Sequence, residues 1–378
     1  MMIMKIIIIF FLIIIMIYIN ISKFHIIKKN NTKDIRIFPK EKSNIFSEKW
    51  IVLYTSSPPI SSILSLNELE EWRIVVIGSN EIIDREWEEF KNMGRIIYLS
   101  LKDQINLGYY ILKFLLPYTY QRKNIGYLYA IEHGAKEIYE IDDDVIINLE
   151  TINWKFNKNV RQRITVCKNN KSIMINPYSY FGIYDIWPRG FILKDLSKNN
   201  NDKKCFFNLA SNQINLKPLI YQNLINGLPD IDYIFYLTRI KKKEQIINIK
   251  FSKDFPLLYL PRNYIPINSK NTKYLYDIFP SLLLPKTFNQ NIVDIFRGFI
   301  IQLFSWKKNG TVLFDSSGDF RKNKEMKEKL LKDEKDLYFK ILKFLEILRT
   351  EENSILKGTV FLFNLIEKLV AEKLIIKF

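Results

Sequence analysis

Three runs of uninterrupted apolar residues constrain this fold more than any other feature of the chain. They are WIVLYTS (Trp50–Ser56), WRIVVIGS (Trp72–Ser79) and RIIYLS (Arg95–Ser100). A strand with one face in water alternates apolar and polar residues, whereas a strand covered on both faces reads as a continuous apolar run. The first run stops at Ser57-Pro58-Pro59, a turn signal. Segments of helical pattern separate the three runs, which start about 22 residues apart, as βαβ units of a mostly parallel sheet do. The fold class expected is therefore α/β, a mostly parallel sheet flanked by helices. Such sheets take their ligands beyond the carboxyl ends of the strands.

Composition narrows the function classes. The 378 residues include 27 Phe, 21 Tyr and 6 Trp but only 12 Gly, which excludes a disordered or collagen-like chain. Cys167 and Cys205 are the only cysteines, so a disulfide framework and a multi-cysteine zinc site are out. His25 and His133 are the only histidines, which leaves no poly-histidine metal centre. The net charge of +17 suits an anionic partner. Charge alone does not choose among nucleic acid, lipid headgroups and phosphorylated metabolites. No nucleic-acid motif accompanies it, so nucleic acid is not the expected partner.

Residues 6–22 (IIIIFFLIIIMIYINIS) carry no charge. At about 1.5 Å per residue they reach about 26 Å, the short end of a bilayer span. A transmembrane signal anchor is expected there, after a short tail (1–5) and before a polar, basic stem (23–48). No A-x-A-like site follows, which disfavours a cleaved signal peptide. Lys5 precedes the run, and Lys23, Lys28, Lys29, Lys33 and Arg36 follow it, an asymmetry that by itself puts the body in the cytosol. Sequons at Asn20, Asn30, Asn170 and Asn309 are compatible with a lumenal body, so charge leaves the sidedness open.

The chemistry concentrates after residue 120. YQRKNIGYLYAIEHGA (120–135) predicts a helix with Tyr127, Ala130, Ile131, Gly134 and Ala135 on one face. It leads through Gly134 into a short strand, KEIYEI, and then Asp142-Asp143-Asp144. Carboxylates at contact distance raise one another's pKa, and a divalent cation relieves the repulsion. Mg²⁺ or Mn²⁺ takes one or two carboxylates together with phosphate oxygens and waters. If the strand continues, alternation points Asp142 and Asp144 the same way, towards one ion or one metal–diphosphate. A bare acidic triplet also serves as a solvated turn or a helix N-cap. The helix–Gly–strand context sets this one apart.

The string RKNIGYLYAIEHGAKEIYEIDDD (122–144) resembles the donor-side segment of GT-A glycosyltransferases, and specifically the STELLO glycosyltransferase-like family of Golgi membrane proteins. NPYSYFGIYDIWPRGF (176–191), NGLPDIDYIFYLTR (226–239), LPRNYIPINSKNTKY (260–274) and LLLPKTFNQNIVDIFRGFIIQLF (282–304) follow in order, so the resemblance covers about 50–315. It implies a single-pass type II Golgi protein with a lumenal GT-A-like domain (49–318), a nucleotide-sugar donor and a hydroxyl acceptor. Asp142 and Asp144 match the metal-binding D-x-D, with Asp143 between them and Glu140 just before. Arg122, Lys123 and Asn124 fall where such folds approach the nucleotide, though the two cations also suit a solvated helix start. Arg189 and Gly190 match a loop that closes over the donor, and Trp187 either covers the sugar or packs in the core. Asp230 and Asp232 fall where an acceptor-side base is carried, or else cap a helix. No histidine follows His133, a departure from the late metal-ligand histidine of many GT-A enzymes. His133 itself reads as structural. Cys167 and Cys205 could pair in a lumenal compartment. Residues 319–378 read as a helical segment that packs on the core, or else meets a membrane surface or partner. The rival to an enzyme is a catalytically silent membrane scaffold of the same fold.

Overall fold

The computed structural model describes residues 45–149, 152–157, 163–167, 174–194, 206–210, 213–240, 248–252, 255–286, 288–316, 318–321, 329–356, 358–372 and 374. The expected anchor (6–22), most of the stem, Cys205 and the side chain of Cys167 lie outside these residues. Among the described residues, no helix is long and apolar enough to cross a membrane.

The strands are β1 (Lys49–Thr55), β2 (Arg73–Gly78), β3 (Ile96–Leu99), β4 (Glu137–Asp142), β5 (Val145–Ile146), β6 (Arg163–Cys167), β7 (Phe206–Ala210), β8 (Lys217–Asn223), β9 (Asn226–Gly227), β10 (Leu257–Tyr259), β11 (Asn271–Leu275), β12 (Gly310–Asp315) and β13 (Phe320–Arg321). The longer helices are α1 (Lys123–Glu132), α2 (Val293–Trp306), α3 (Lys329–Glu351) and α4 (Gly358–Ala371). A ten-stranded sheet runs β3-β2-β1-β4-β11-β8-β12-β10-β6-β7, and β5-β13-β9 forms a small second sheet.

The three apolar runs are β1, β2 and β3, and they pair in parallel as expected, with Trp50 opposite Arg73 and Ile74 opposite Ile96. β4 adds in parallel on the other side of β1. The sheet then departs from uniform direction, because β11 is antiparallel to both β4 and β8. β12 is parallel to β8. The consequence is geometric: β1, β2, β3, β4, β8 and β12 all point the same way, and their carboxyl ends share one edge.

Burial on both faces explains the unbroken apolar runs. Trp50, Val52, Val75 and Ile77 enter one core cluster, while Ile51, Leu53, Ile74 and Val76 enter another across the sheet. α1 lies on the first face, where a Cβ at Gly126 would come within 2.6 Å of Val52 Cγ1. α2 is buried along almost its whole length. α3 and α4 complete the same cluster through Leu337, Phe344, Leu348, Phe361, Leu365 and Leu369. Of the alternatives open for these C-terminal helices, core packing is the one observed.

Candidate functional site

β4 ends at Asp142, and the chain turns at once into β5. Asp143 and Asp144 therefore sit in a turn, and the strand alternation expected to aim Asp142 and Asp144 together does not extend past residue 142. Each carboxylate finds a different partner. Asp142 Oδ1 accepts from the Tyr120 hydroxyl at 2.9 Å and from Lys123 Nζ at 3.2 Å. Asp143 Oδ2 accepts from Thr55 Oγ1 at 2.8 Å and from the Ser56 amide at 3.3 Å, which fastens the turn to the end of β1. Asp144 Oδ2 accepts from Arg321 Nε and Nη2 at 2.9 and 2.6 Å.

Behind this turn lies a buried polar network. Lys123 is fully buried and also faces Glu140 Oε1 at 3.3 Å. Glu140 Oε2 pairs with Arg297 of α2 at 2.7 Å, and Tyr127 donates to the other oxygen of Glu140. The Tyr120 hydroxyl meets Ser269 Oγ at 2.5 Å. Asp294 of α2 accepts from the Ser269 amide and pairs with Arg189 at 2.8 Å. Arg189 in turn holds Asp230 through Nε and Nη2, and Lys270 Nζ reaches the same carboxylate at 2.7 Å. Asp142, at one end of β4, is thus connected through side chains to Asp230.

Charge sets the protonation states. Burial alone would raise the Asp142 carboxyl, but Lys123, with Lys270 and Arg321 behind it, holds its pKa below the ordinary carboxylate value. Asp230 behaves the same way: Arg189 and Lys270 overcome its burial and hold it far below the usual range. For Asp143, burial dominates and its acidic neighbours add to the effect, so its pKa is raised.

The remaining predicted residues divide. The Arg122 side chain is buried and donates from Nε to Gln104 Oε1 at 2.7 Å. Gln104 itself bonds the carbonyls of Gly78 and Leu99, at the ends of β2 and β3. Asn124 exchanges two hydrogen bonds with the backbone of Leu284. Gly190 adopts φ +85°, and the neighbour a Cβ would strike is Ile295 of α2, at 2.4 Å. Trp187 packs edge-on against Phe235, their ring centroids 5.0 Å apart. Asp232 caps the short helix Tyr233–Phe235 by accepting from the Ile234 and Phe235 amides, and Tyr338 of α3 donates to its second oxygen. His133 stacks on Tyr129, lies tilted against Trp50, and has its Nδ1 2.7 Å from the Tyr129 carbonyl oxygen. Asp230 also lines a small recess with Tyr178, Gln222, Asn223, Pro229 and Asn268.

Sequence reasoning did not single out Tyr120, Ser269, Lys270, Asp294 or Arg321. Asp294 had a signal: with Arg297 it is a charge on an otherwise apolar helical run, where buried pairing is required. Arg321 had none, because only the fold brings it to Asp144.

Among the described residues no three His, Cys, Asp or Glu side chains close on a common point. A two-carboxylate site is still consistent with the local chemistry. Asp144 Oδ1 is buried without a hydrogen-bond partner. In the network as a whole, the six carboxylates Asp142, Asp143, Asp144, Glu140, Asp230 and Asp294 face five cations, Lys123, Lys270, Arg189, Arg297 and Arg321. A hard divalent cation suits an oxygen-only site.

No family model matches the chain. Two curated relatives from Arabidopsis thaliana do. One, "Probable glycosyltransferase STELLO1", is 31% identical over 325 residues, 82% of this chain. The other, "Probable glycosyltransferase STELLO2", is 30% identical over 319 residues, 81% of this chain. The chain belongs to the STELLO glycosyltransferase-like family. It spans about 40% of the length of these relatives.

Proposed function

We propose that this STELLO-like chain is a glycosyltransferase of GT-A type that moves a sugar from a nucleotide-sugar donor to a hydroxyl acceptor. The observation that carries the reading is the acidic turn at the end of β4, where Asp142 ends the strand and Asp144 Oδ1 is buried without a hydrogen-bond partner. It lies at the edge where six parallel-directed strands end, the place such sheets use for ligands. Asp142 and Asp144 are the residues that would hold Mn²⁺ or Mg²⁺. When bound, such an ion neutralises charge on a departing diphosphate as a Lewis acid. Asp143 ties the turn to β1. Arg122, Lys123 and Asn124 brace the floor of the donor side, and Arg189 and Gly190 shape the loop beside it. Asp230 is the carboxylate on the recess wall. Arg189 and Lys270 hold it far below the usual carboxylate range, so it orients the acceptor hydroxyl as a hydrogen-bond acceptor and is a weak base for its proton. Asp232, already occupied as an N-cap, would support that loop. The apolar segment 6–22 and the family resemblance support a single-pass Golgi protein with its body in the lumen.

The rival reading, a catalytically silent membrane scaffold, draws on one observation: Lys123 and Arg321 already neutralise Asp142 and Asp144. Calorimetric titration of the full chain with nucleotide-sugars, with and without Mn²⁺, separates the two. The enzyme reading expects Mn²⁺-dependent binding that Asp142→Asn and Asp144→Asn each weaken at least about 100-fold, or about 2.7 kcal/mol, with the melting transition retained. A folded wild-type chain that binds no donor would favour the scaffold.

A further inference from the structure

A diphosphate arriving at the Asp142–Asp144 turn needs cationic side chains that it can reach. The two that the sequence offers first are withdrawn from solvent: Lys123 is fully buried against Glu140 and Asp142, and Arg122 is 4% exposed with its Nε on Gln104. Freeing either one would leave a buried partner unsatisfied. Two other cations flank the turn with part of their side chains in solvent, Lys270 and Arg321, each 16% exposed. Both are close enough to Asp142 to act on its charge. Lys270 is held there by the backbone, since its carbonyl accepts from the Asp142 amide at 3.2 Å. Arg321 is held by β13, which pairs with β5 immediately after the acidic turn, with Arg321 opposite Val145.

We propose that Lys270 and Arg321 are the cationic contacts for the diphosphate of a nucleoside diphosphate ligand bound at this turn. The assignment rests on the function proposed above. Each cation is paired with a carboxylate, Lys270 with Asp230 and Arg321 with Asp144, so neither is a bare charge in the absence of ligand. A guanidinium has five donors and can keep one oxygen of Asp144 while it bonds a phosphate oxygen. An ammonium on a flexible stem can turn from Asp230 to a phosphate. That exchange leaves Asp230 with Arg189 alone, on the wall of the recess, so donor arrival and the acceptor-side carboxylate share one lysine.

The test is calorimetric binding of UDP and GDP to the full chain in the presence of Mn²⁺. Lys270→Met and Arg321→Met are compared with Lys217→Met, which removes an exposed lysine paired to Asp277 at the start of β8. The expected result is at least a tenfold loss of affinity in each of the first two, recovery in Lys270→Arg and Arg321→Lys, and no change in Lys217→Met. Melting curves accompany each variant, because Arg321→Met also leaves Asp144 without its partner. A folded Lys270→Met that binds the probes as tightly as wild type overturns the assignment while leaving the donor site standing. A folded wild-type chain that binds neither nucleotide overturns both. A loss equal to that of Lys217→Met would reduce the effect to general charge attraction.

Discussion

Glu334 shows at the scale of one residue how the core controls titration. It is 1% exposed on α3, and it accepts from the Tyr233 amide and from the Tyr338 hydroxyl, which also donates to Asp232. Burial, reinforced by the charge of Asp232 against the opposing pull of Arg189, raises its pKa to about 7. A carboxyl whose folded pKa is raised stabilises the fold in its protonated form. That contribution is complete below the unfolded value and is lost as pH rises through the folded one. Stability should therefore decline from about pH 4.5 to about pH 7.5, by on the order of 2–3 kcal/mol from this group. Glu334→Gln keeps the shape and removes the proton. Urea melts across this pH range should show a flatter profile in the variant, and identical profiles would sink the assignment. Asp232, also raised by burial, leaves some slope behind. The same scale shows what a sequence can and cannot disclose. Asp142 was legible as a strand-end carboxylate because an apolar run stops there. That Asp144 would face Arg321, 177 positions away, was not, since pairing over such a separation is decided by topology.

At the scale of elements, the parallel start of the sheet was legible because double-sided burial removes polar alternation from β1, β2 and β3. The antiparallel β11 was not legible. NTKYL carries no continuous apolar run, since its Asn271, Thr272 and Lys273 are buried through hydrogen bonds, Asn271 to Asp319 and Lys273 to the carbonyls of Ile152 and Trp154. The helix before the acidic turn was legible in kind but not in extent. It runs Lys123–Glu132 within the expected 120–135, after a 3-10 turn at Tyr120–Arg122, and Lys123, Asn124, Ile125 and Gly126 are buried beyond the expected face. Its glycine has a specific consequence. Gly126 brings α1 down on β1, where any Cβ would stand 2.6 Å from Val52 Cγ1 and 3.2 Å from Ile77 Cγ1. Alanine favours a helix over glycine by about 1 kcal/mol. Overpacking a core costs about 1–3 kcal/mol, and Val52 is a stiff β-branched residue locked in a central strand. The clash should win. Gly126→Ala is expected to lower stability by up to about 2 kcal/mol in a denaturant melt, and a stabilised variant would mean that α1 lifts freely from the sheet.

At the scale of the whole molecule, the question is whether the sheet folds without its last two helices. A composition change near residue 320 suggests a boundary, yet the packing crosses it. Phe344 of α3 stands edge-on to Phe296 of α2 at 4.8 Å and to Phe288 at 6.2 Å. Glu334 and Tyr338 hold the segment that begins at Asp232. The expected core packing of this charged, amphipathic segment is what α3 shows: its apolar stripe, Leu337, Ile341, Phe344, Leu345 and Leu348, lies in the principal core cluster. Burying one such side chain contributes about 1.5–3 kcal/mol, so these five together with Phe361, Leu365 and Leu369 exceed on the order of 10 kcal/mol. Deleting α3 and α4 also uncovers the core face they cover, Phe288 and Phe296 included, and a domain's net stability of about 5–15 kcal/mol leaves little room for that exposure. A chain ending at residue 328 is therefore expected to lose its cooperative melt and to bind a hydrophobic dye through the uncovered Phe288 and Phe296. If it instead melts cooperatively within a few degrees of the full chain, α3 and α4 are an attachment to a self-sufficient sheet. The Asp232–Tyr338 contact would then have no part in shaping the loop beside Asp230.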